Sequence, residues 1–156
     1  MLSIPNYPYS NILDAYSNDD PIPPAGFELS LSRDEDMIVW KKALDPELKD
    51  DPLLHNLKYY EHVIVKLKIP KDAAVLFTPT KCRTNMAIVL GFYPCALGGE
   101  LYELDKTSAM SWYDHSYKYN LGQEIKPDRF DTDWRRTCSN GIHFFRTFDE
   151  AVHCVF

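Results

Sequence analysis

Apolar and polar side chains alternate along several short segments of this chain, which is the pattern of β-strands that bury one face. The clearest example lies within residues 59–69, where aliphatic side chains occupy every second position: Val63, Val65, Leu67 and Ile69. Pro70 ends this segment, because proline cannot donate a hydrogen bond to a strand ladder. Residues 27–31 alternate in the same way. The pattern therefore predicts a strand in each segment.

Other strands are predicted from short apolar runs bounded by turn residues. These runs cover residues 74–77, 87–93 and 142–145, and a further strand at 117–121 is predicted from the alternation of Tyr117, Tyr119 and Leu121 before Gly122. The pair Gly98-Gly99, between the segments 95–97 and 101–104, predicts a two-residue hairpin turn. The sequence Ser139-Asn140-Gly141 predicts a turn directly before the strand at 142–145.

Helix starts are indicated by two capping boxes, in which Ser or Thr stands three positions before Glu. The pairs are Ser32 with Glu35 and Thr147 with Glu150. The first box predicts a helix over residues 37–40, although the β-branched and aromatic side chains there also fit a strand. The second box predicts a short helix over residues 150–154. Prolines frame further short helical pieces within residues 45–58.

These elements predict an α+β fold, a single β-dominated domain of short, mostly antiparallel strands with a few short helices. The domain covers residues 27–156, and 45% apolar residues give it enough material for a core. Residues 1–26 are an extended acidic arm, because five prolines break any helical or strand periodicity there. Tyrosines within the arm give it side chains with which to dock.

The formal charge of −6 is concentrated in residues 1–36, and the rest of the chain is neutral. Such a distribution does not suit a partner whose binding depends on neutralised phosphates, so we expect no nucleic acid. Residues 62–90 are locally basic. The lysines Lys66 and Lys68 could contact an anion there, or could keep exposed strand edges from pairing.

No apolar run reaches the length of a membrane span, and we expect no membrane association. The first thirty residues lack the pattern of a signal peptide. The four cysteines are widely separated and form no CxxC pair, so we expect free thiols.

Two segments, about 56 residues apart, carry a resemblance to a known domain. They are Lys81-Cys82-Arg83 and Cys138-Ser139-Asn140-Gly141-Ile142-His143-Phe144-Phe145. From about residue 37 to 153 the chain resembles an uncharacterised domain of large DNA viruses and bacteriophages, often attached to pentapeptide repeats. The resemblance favours a strand at 37–42 and implies no catalytic residue. This chain departs from the pattern by lacking a pentapeptide array and by having its arm and the 45–58 insertion.

The same two segments supply the candidate functional cluster Lys81, Cys82, Arg83, Cys138 and His143. Either Cys82 or Cys138 could be a nucleophile activated by His143 and nearby cations. Zinc could bind to Cys82, Cys138 and His143, with His115 or His153 as the fourth ligand. The interpretation that we favour is structural, because thiols pack well in cores, Gly141 provides the turn and His143 can hold a backbone carbonyl. We assign no metal and no cofactor.

Two functions from different classes fit these observations. The first is a viral non-enzymatic interaction protein, which binds a viral or host protein through its β-rich domain and arm. It would act in the host cytoplasm or the virion, with the host nucleus left open. The second is a small enzyme that acts on a nucleotide or a related anionic substrate through Lys81, Arg83, Cys138 and His143. We also expect a homodimer in which the arms are exchanged between copies. The acidic groups of each arm would then lie against basic surface such as Lys66, Lys68 and Arg83.

Two spatial relations are expected from the same reasoning. Cys82 and Cys138 should approach each other, since both lie in the segments that carry the resemblance. Ile142 and Phe144 should share one core with the apolar face of the strand within residues 59–69.

Overall fold

A computed structural model describes residues 22–45, 62–112 and 116–154 of the chain. Within these residues the chain forms ten strands and one α-helix. The strands are β1 (Glu28–Ser30), β2 (Met37–Leu44), β3 (His62–Ile69), β4 (Val75–Phe77), β5 (Cys82–Thr84), β6 (Ala87–Pro94), β7 (Ser108–Met110), β8 (Lys118–Asn120), β9 (Glu124–Ile125) and β10 (Ile142–Phe144), and the helix is α1 (Phe148–His153). The predicted helical pieces within 46–58 and most of the arm lie outside the described residues.

The strands form two antiparallel sheets. One has four strands in the order β1-β4-β5-β10, and the other has six in the order β8-β7-β2-β3-β6-β9. The predicted β-dominated architecture is confirmed in the described residues. The expectation of a few short helices is met there only by α1 and one 3-10 turn, so the balance lies further toward β structure than the sequence indicated.

The main core lies between the two sheets. The alternating face of β3 contributes Val63, Val65, Leu67 and Ile69, which are all nearly or fully buried. From the smaller sheet, Ile142 and Phe144 join the same cluster. The predicted common core is confirmed, because a period of two directs every second side chain of each strand to one face.

The segment predicted as either helix or strand is the long strand β2. It pairs with β3 over its whole length, from Met37 opposite Ile69 to Leu44 opposite His62. In the loop that follows the first capping box, Asp36 accepts a hydrogen bond from the Lys71 amide. The helix prediction was wrong because strand pairing outweighs a local cap, and the strand implied by the resemblance is confirmed.

The outer face of the six-stranded sheet is covered by α1. Phe148 packs edge-on against Trp40, with ring centroids 5.1 Å apart. Thr147 caps the helix by accepting a hydrogen bond from the Glu150 amide, and its hydroxyl donates to the Glu150 carboxylate. The second capping box is therefore confirmed, and it fixes the helix against the sheet.

The predicted hairpin around Gly98-Gly99 was wrong. A 3-10 turn at Gly99–Leu101 follows β6, and no strand forms on either side of it within residues 95–104. A Cβ on Gly99 would lie 2.2 Å from the Pro94 carbonyl oxygen, so the chain folds back tightly on the end of β6. The Leu104 amide then donates to the Phe92 carbonyl, and this contact replaces a hairpin ladder.

One edge of β2 contacts two different segments of the chain. We call the space between these two segments the fork, and it positions the candidate site. Trp40 exchanges two backbone hydrogen bonds with Phe145, the residue that follows β10. Four positions further along, Leu44 pairs with Met110 of β7. The smaller sheet, through Phe145, and β7 of the larger sheet thus contact the same edge of β2 at two different points, and Lys41 lies between these points. No helix in the described ranges is long and apolar enough to cross a membrane.

Candidate functional site

A cavity of about 590 Å³ lies in this fork, and we call it the fork cavity. Its walls come from β2, from the strands β7 and β8 with their connections, and from the loop before β10. The lining residues are Lys41, Ser111, Tyr117, Tyr119, Pro127, Asp128, Arg129, Cys138, Ser139, Asn140, Gly141, Ile142 and His143. Most of these residues carry a polar or charged group, but apolar atoms make up more of the lining surface, so the cavity could take a ligand that has both polar groups and an apolar part.

Lys41 occupies the base of the fork cavity. It has the same parity along β2 as the buried Val39 and Ala43, so the strand directs its side chain inward. The amine donates to the backbone carbonyl of His143 at 2.9 Å and lies 6.0 Å from the ring centre of Tyr119. Among the described residues no carboxylate forms an ion pair with it. Within that part of the chain, Lys41 is therefore an inward-facing cation without a counter-charge.

Burial lowers the pKa of Lys41 to about 8, and the positive charge of Lys81 adds to the effect. Both causes act against the charged form, because an ammonium loses hydration inside a protein and is repelled by a like charge. Lys41 remains mostly protonated at neutral pH, but a measurable fraction of the amine is neutral.

His143 is held in one orientation at the wall of the cavity. Its Nε2 lies 2.6 Å from the Ser139 carbonyl oxygen, which can only accept, so Nε2 carries a proton. Burial lowers the pKa of His143 to about 4, with further lowering by Lys41 and Lys81. The ring is therefore neutral at physiological pH. Burial also raises the pKa of Tyr119 well above its usual value, so the phenol stays protonated.

Cys138 and Lys81 meet at the edge of this arrangement. The Lys81 amine lies 3.9 Å from the Cys138 sulfur, and the thiol is exposed. Three members of the predicted cluster, Lys81, Cys138 and His143, are thus gathered around one cavity.

Arg83 lies outside the cavity and is only 1% exposed. Its guanidinium donates to the backbone carbonyls of Asp131, Asp133 and Arg136, each at 2.7 Å. These three hydrogen bonds shape the loop that leads to Cys138. Three neutral carbonyl acceptors satisfy the hydrogen-bond donors of this buried guanidinium without an ion pair. Arg83 therefore holds the loop that forms part of the cavity wall, and it does not itself line the cavity.

Gly141 packs directly on Arg83. Its φ is +142°, and a Cβ there would lie 3.1 Å from both Arg83 Cβ and Phe130 Cδ1. A side chain would therefore strain the backbone and push against the buried arginine stem. The chain bends at Asn140 and Gly141, where the sequence predicts a turn, and this packing explains why glycine stands there.

Cys82 faces the main core and is fully buried. Its thiol contacts the Thr78 carbonyl oxygen at 3.6 Å, and its sulfur accepts from the Thr78 amide. Cys82 and Cys138 thus lie in different surroundings, one in the core and the other at the surface, and their close approach stays a prediction. In the described residues no three His, Cys, Asp or Glu side chains are grouped as metal ligands, and His115 lies outside those residues.

The candidate anion contacts Lys66 and Lys68 lie on another face of the molecule. Both point toward the side of the six-stranded sheet that α1 covers, since they share parity with Ile64. The Lys66 amine lies 5.8 Å from the Trp40 ring centre and 5.9 Å from that of Tyr93. These lysines do not line the fork cavity, and their role as anion contacts stays a prediction.

Sequence reasoning missed Lys41, although a usable signal was present. Once residues 37–44 are taken as a strand, Lys41 shares its parity with Val39 and Ala43. A lysine on the apolar face of a strand is a candidate for an unusual environment. Nothing in the sequence, however, indicates that β8 would bring Tyr119 to it.

The chain belongs to a family of unknown function, DUF5758, which it matches over residues 27–151. One relative is the uncharacterised protein L227 of Acanthamoeba polyphaga mimivirus. It is 30% identical over 132 residues, which cover 77% of this chain and 78% of the relative. No solved structure matches the chain significantly. The expected likeness to an uncharacterised domain of large DNA viruses is confirmed by these matches.

Proposed function

We propose that this protein is a viral binding module whose fork cavity takes a small anionic ligand. The observation that carries the proposal is Lys41, an inward-facing ammonium that has no carboxylate partner in the described residues. Buried charges are normally paired, because an isolated one loses its hydration. An anion in the cavity would supply a counter-charge to this ammonium.

The other charges around the cavity support the same ligand class. Arg129 lines it and Lys81 lies beside Cys138, whereas Asp128 is the single carboxylate among those lining residues that the structure describes. The balance is positive, which favours an anion. The side-chain amide of Asn140, which also lines the cavity, could donate a hydrogen bond to such a ligand.

The size of the cavity favours a ligand such as a nucleotide or a sugar phosphate. Its volume of about 590 Å³ lies within the range typical of small-molecule sites. A ring could contact the aromatic faces of Tyr117 and Tyr119, whose centroids are 5.4 Å apart. The enzyme hypothesis considers the same class of molecule as a substrate, whereas we propose that it is bound without being converted.

Binding fits the geometry better than acid–base catalysis. A general base works best with a pKa near the operating pH, and the pKa of His143 is lowered to about 4. Its Nε2 proton is also engaged with the Ser139 carbonyl. These features make His143 a rigid wall of the cavity and a weak base.

Calorimetric titration with inorganic phosphate and with a nucleoside monophosphate tests the proposal. We expect one binding site whose affinity falls with added salt. In Lys41→Met the affinity should fall by at least about tenfold, since one charge-assisted hydrogen bond contributes that much or more. Lys71→Met is the matched control, because Lys71 is exposed on the turn after β3. Equal affinity in both variants, or no binding of either probe, would contradict the proposal.

A protein partner is the second candidate function, and an exposed apolar patch favours it. Around the 3-10 turn, Leu97, Leu101 and Tyr102 are 69%, 76% and 67% exposed. Clustered apolar side chains at a surface are typical of protein contacts. The partner would be a viral or host protein met in the host cytoplasm or the virion.

Affinity purification from infected cells tests this second function. The full chain, a chain without residues 1–26, and Leu101→Asp would be compared. A partner that binds the full chain and loses Leu101→Asp would support the patch as its contact. A set of captured proteins identical for all three chains would count against both the patch and the arm.

A further inference from the structure

The amine of Lys41 has the surroundings of a lysine that reacts with carbonyl groups. It faces a cavity that can admit a ligand, it lies near the second cation Lys81, and no carboxylate of the described chain holds it as an ion pair. A lysine is activated as a nucleophile by loss of hydration or by a neighbouring cation. Both conditions are met at this position.

We propose that the ligand of the fork cavity carries an aldehyde or ketone beside its anionic group, and that Lys41 binds it covalently as an imine. This inference rests on the proposed function, since it names the chemistry of the same ligand. It adds a reversible covalent bond to the contacts of the anion.

The reaction balances without any further reagent. The ammonium first releases one proton to solvent, and the free lone pair of Nζ attacks the carbonyl carbon to give a carbinolamine. Loss of one water, made from the carbonyl oxygen and two protons of the adduct, leaves a carbon–nitrogen double bond. No oxidant or reductant takes part, and water reverses the reaction.

The hydrogen bond to His143 is compatible with the start and the end of this reaction. Lys41 donates to the His143 carbonyl oxygen at 2.9 Å. A neutral amine and a protonated imine both keep at least one N–H, so this acceptor keeps its donor in both states. The bond also restricts the rotation of the amine and orients it at the base of the cavity.

The acid–base state of Lys41 supports the reaction at neutral pH. With its pKa lowered to about 8, about one tenth of the amine is neutral at pH 7, compared with about one part in 3,000 for an ordinary lysine. The titratable and charged groups around it are Lys81, Tyr117, Tyr119, Asp128, Arg129, Cys138, His143 and Cys154. Among them, Lys81 lowers the pKa of Lys41 and Cys154 raises it.

Reductive trapping tests the proposal on the full chain. Glyoxylate, a small anionic aldehyde, is added with cyanoborohydride, and the modified lysines are located by peptide mass spectrometry. We expect Lys41 to be labelled at least about tenfold faster than the exposed Lys71, with a rate that rises to a plateau above about pH 8. Inorganic phosphate should slow the labelling of Lys41 and leave that of Lys71 unchanged.

Two controls separate the covalent step from folding and from anion binding. Glycolate has the charge of glyoxylate but no aldehyde, so it should protect Lys41 without labelling it. Lys41→Arg keeps a cation and a donor for the His143 carbonyl but cannot form an imine under these conditions. We expect this variant to melt cooperatively and to lose the fast label.

The outcomes distinguish this inference from the proposed function. If Lys41 is labelled no faster than Lys71 while phosphate still binds in the cavity, the imine is overturned and anion binding stands. If phosphate does not bind but Lys41 is still labelled fast, the carbonyl chemistry stands without the anionic selectivity. If both fail, neither proposal holds.

Discussion

Two inward-facing cations differ in how their donors are satisfied. The Arg83 guanidinium has three backbone carbonyl acceptors, each at 2.7 Å, whereas the Lys41 ammonium has one acceptor among the described residues, the carbonyl of His143. A planar group with several donors suits a fixed set of acceptors, and a flexible amine does not. Arg83 is therefore part of the framework, and Lys41 retains donors for a ligand.

Arg83→Lys should destabilise the protein by about 2–4 kcal/mol, because an amine cannot reach three carbonyls at once and leaves buried acceptors unsatisfied. Urea denaturation followed by tryptophan fluorescence measures the change. Arg135→Lys is the control, since Arg135 is an exposed partner of Asp133 and such pairs contribute under about 1 kcal/mol. Equal effects of the two changes would show that the loop does not depend on Arg83.

His143 should make stability depend on pH between about 6.5 and 4. Its pKa is lowered from 6.5 to about 4 in the folded protein, so the unfolded chain binds more protons in that window. The free energy of unfolding should therefore fall as the pH drops from 7 to 4, by about 3 kcal/mol from this residue. His143→Gln should lose that part of the dependence.

The measurement is a series of urea denaturation curves between pH 7 and pH 4 for both proteins. Hydrogen bonds from Arg135 lower the pKa of Asp133. The stability that this carboxylate contributes is therefore lost mainly at pH values below the range in which His143 titrates. Parallel curves for the two proteins down to pH 4 would show that His143 is solvated and titrates normally.

Part of the site could be predicted from residue types alone. The segments around Lys81, Cys138 and His143 were selected because reactive side chains stand close together in sequence, and the fold brings them to one cavity. Arg83 and Cys82 lie next to Lys81 in sequence, but β5 alternates, so they point to opposite faces of the smaller sheet and away from the cavity. Residue type cannot show which neighbour faces the ligand.

At the scale of elements, β10 is the strand that links the two sheets to the core. Phe144 is fully buried in the main core, while the next residue, Phe145, pairs with Trp40 of β2. A single short strand thus carries contacts to both sheets, and its loss would affect both.

Phe144→Ala should therefore cost about 3–5 kcal/mol, the usual range for truncating a buried aromatic side chain. Thermal and urea unfolding measure it, and Leu121→Ala, at a half-exposed position on the turn after β8, should change stability by less than about 0.5 kcal/mol. An unchanged melting temperature in Phe144→Ala would mean that this side chain does not lie in the core.

The cap of α1 contributes less to the free energy of unfolding than Phe144 does, and its contribution can be measured separately. Thr147→Ala removes the acceptor for the Glu150 amide and should cost about 1 kcal/mol. Thr137→Ala, at an exposed loop position, is the control and should be close to neutral. A cost no larger than that of the control, measured by urea unfolding, would show that packing against Trp40 holds the helix without its cap.

The strands β3 and β6 could be predicted from the sequence. A strand with one buried face has alternating apolar residues, and a strand with both faces buried has a continuous apolar run. The strands β5, β7 and β9 were missed. They are two or three residues long and are fixed by pairing with partners distant in sequence, for example Cys82 opposite Phe144. Such pairing depends on tertiary contacts that local patterns do not contain.

At the scale of the whole molecule, the acidic arm bears on assembly, although its residues 1–21 lie outside the described residues. The expectation that its acidic groups lie against Lys66, Lys68 and Arg83 needs one correction. Arg83 is 1% exposed and its donors are occupied by backbone carbonyls, so it is not available to the arm. The lysines of β3 stay candidates.

We expect the full chain to form a dimer with exchanged arms, and the chain of residues 27–156 to be monomeric. Static light scattering at micromolar concentration, with and without added salt, measures both states. Dimerisation should weaken as salt rises, because the arm is acidic and the opposing surface is basic. Monomers for both chains would contradict the exchange.

The position of the fork in the sequence also determines when the cavity can form during synthesis and folding. Lys41 and the His143 carbonyl that holds it stand 102 positions apart, so the two walls meet only through one of the longest loop closures in the chain. Contacts between distant segments form late in folding and slowly. On the ribosome β2 emerges long before β10, and it must wait while most of the chain is synthesised. A nascent or prematurely ended chain would therefore hold Lys41 exposed to water as an ordinary lysine, and ligand binding would report that synthesis has passed β10.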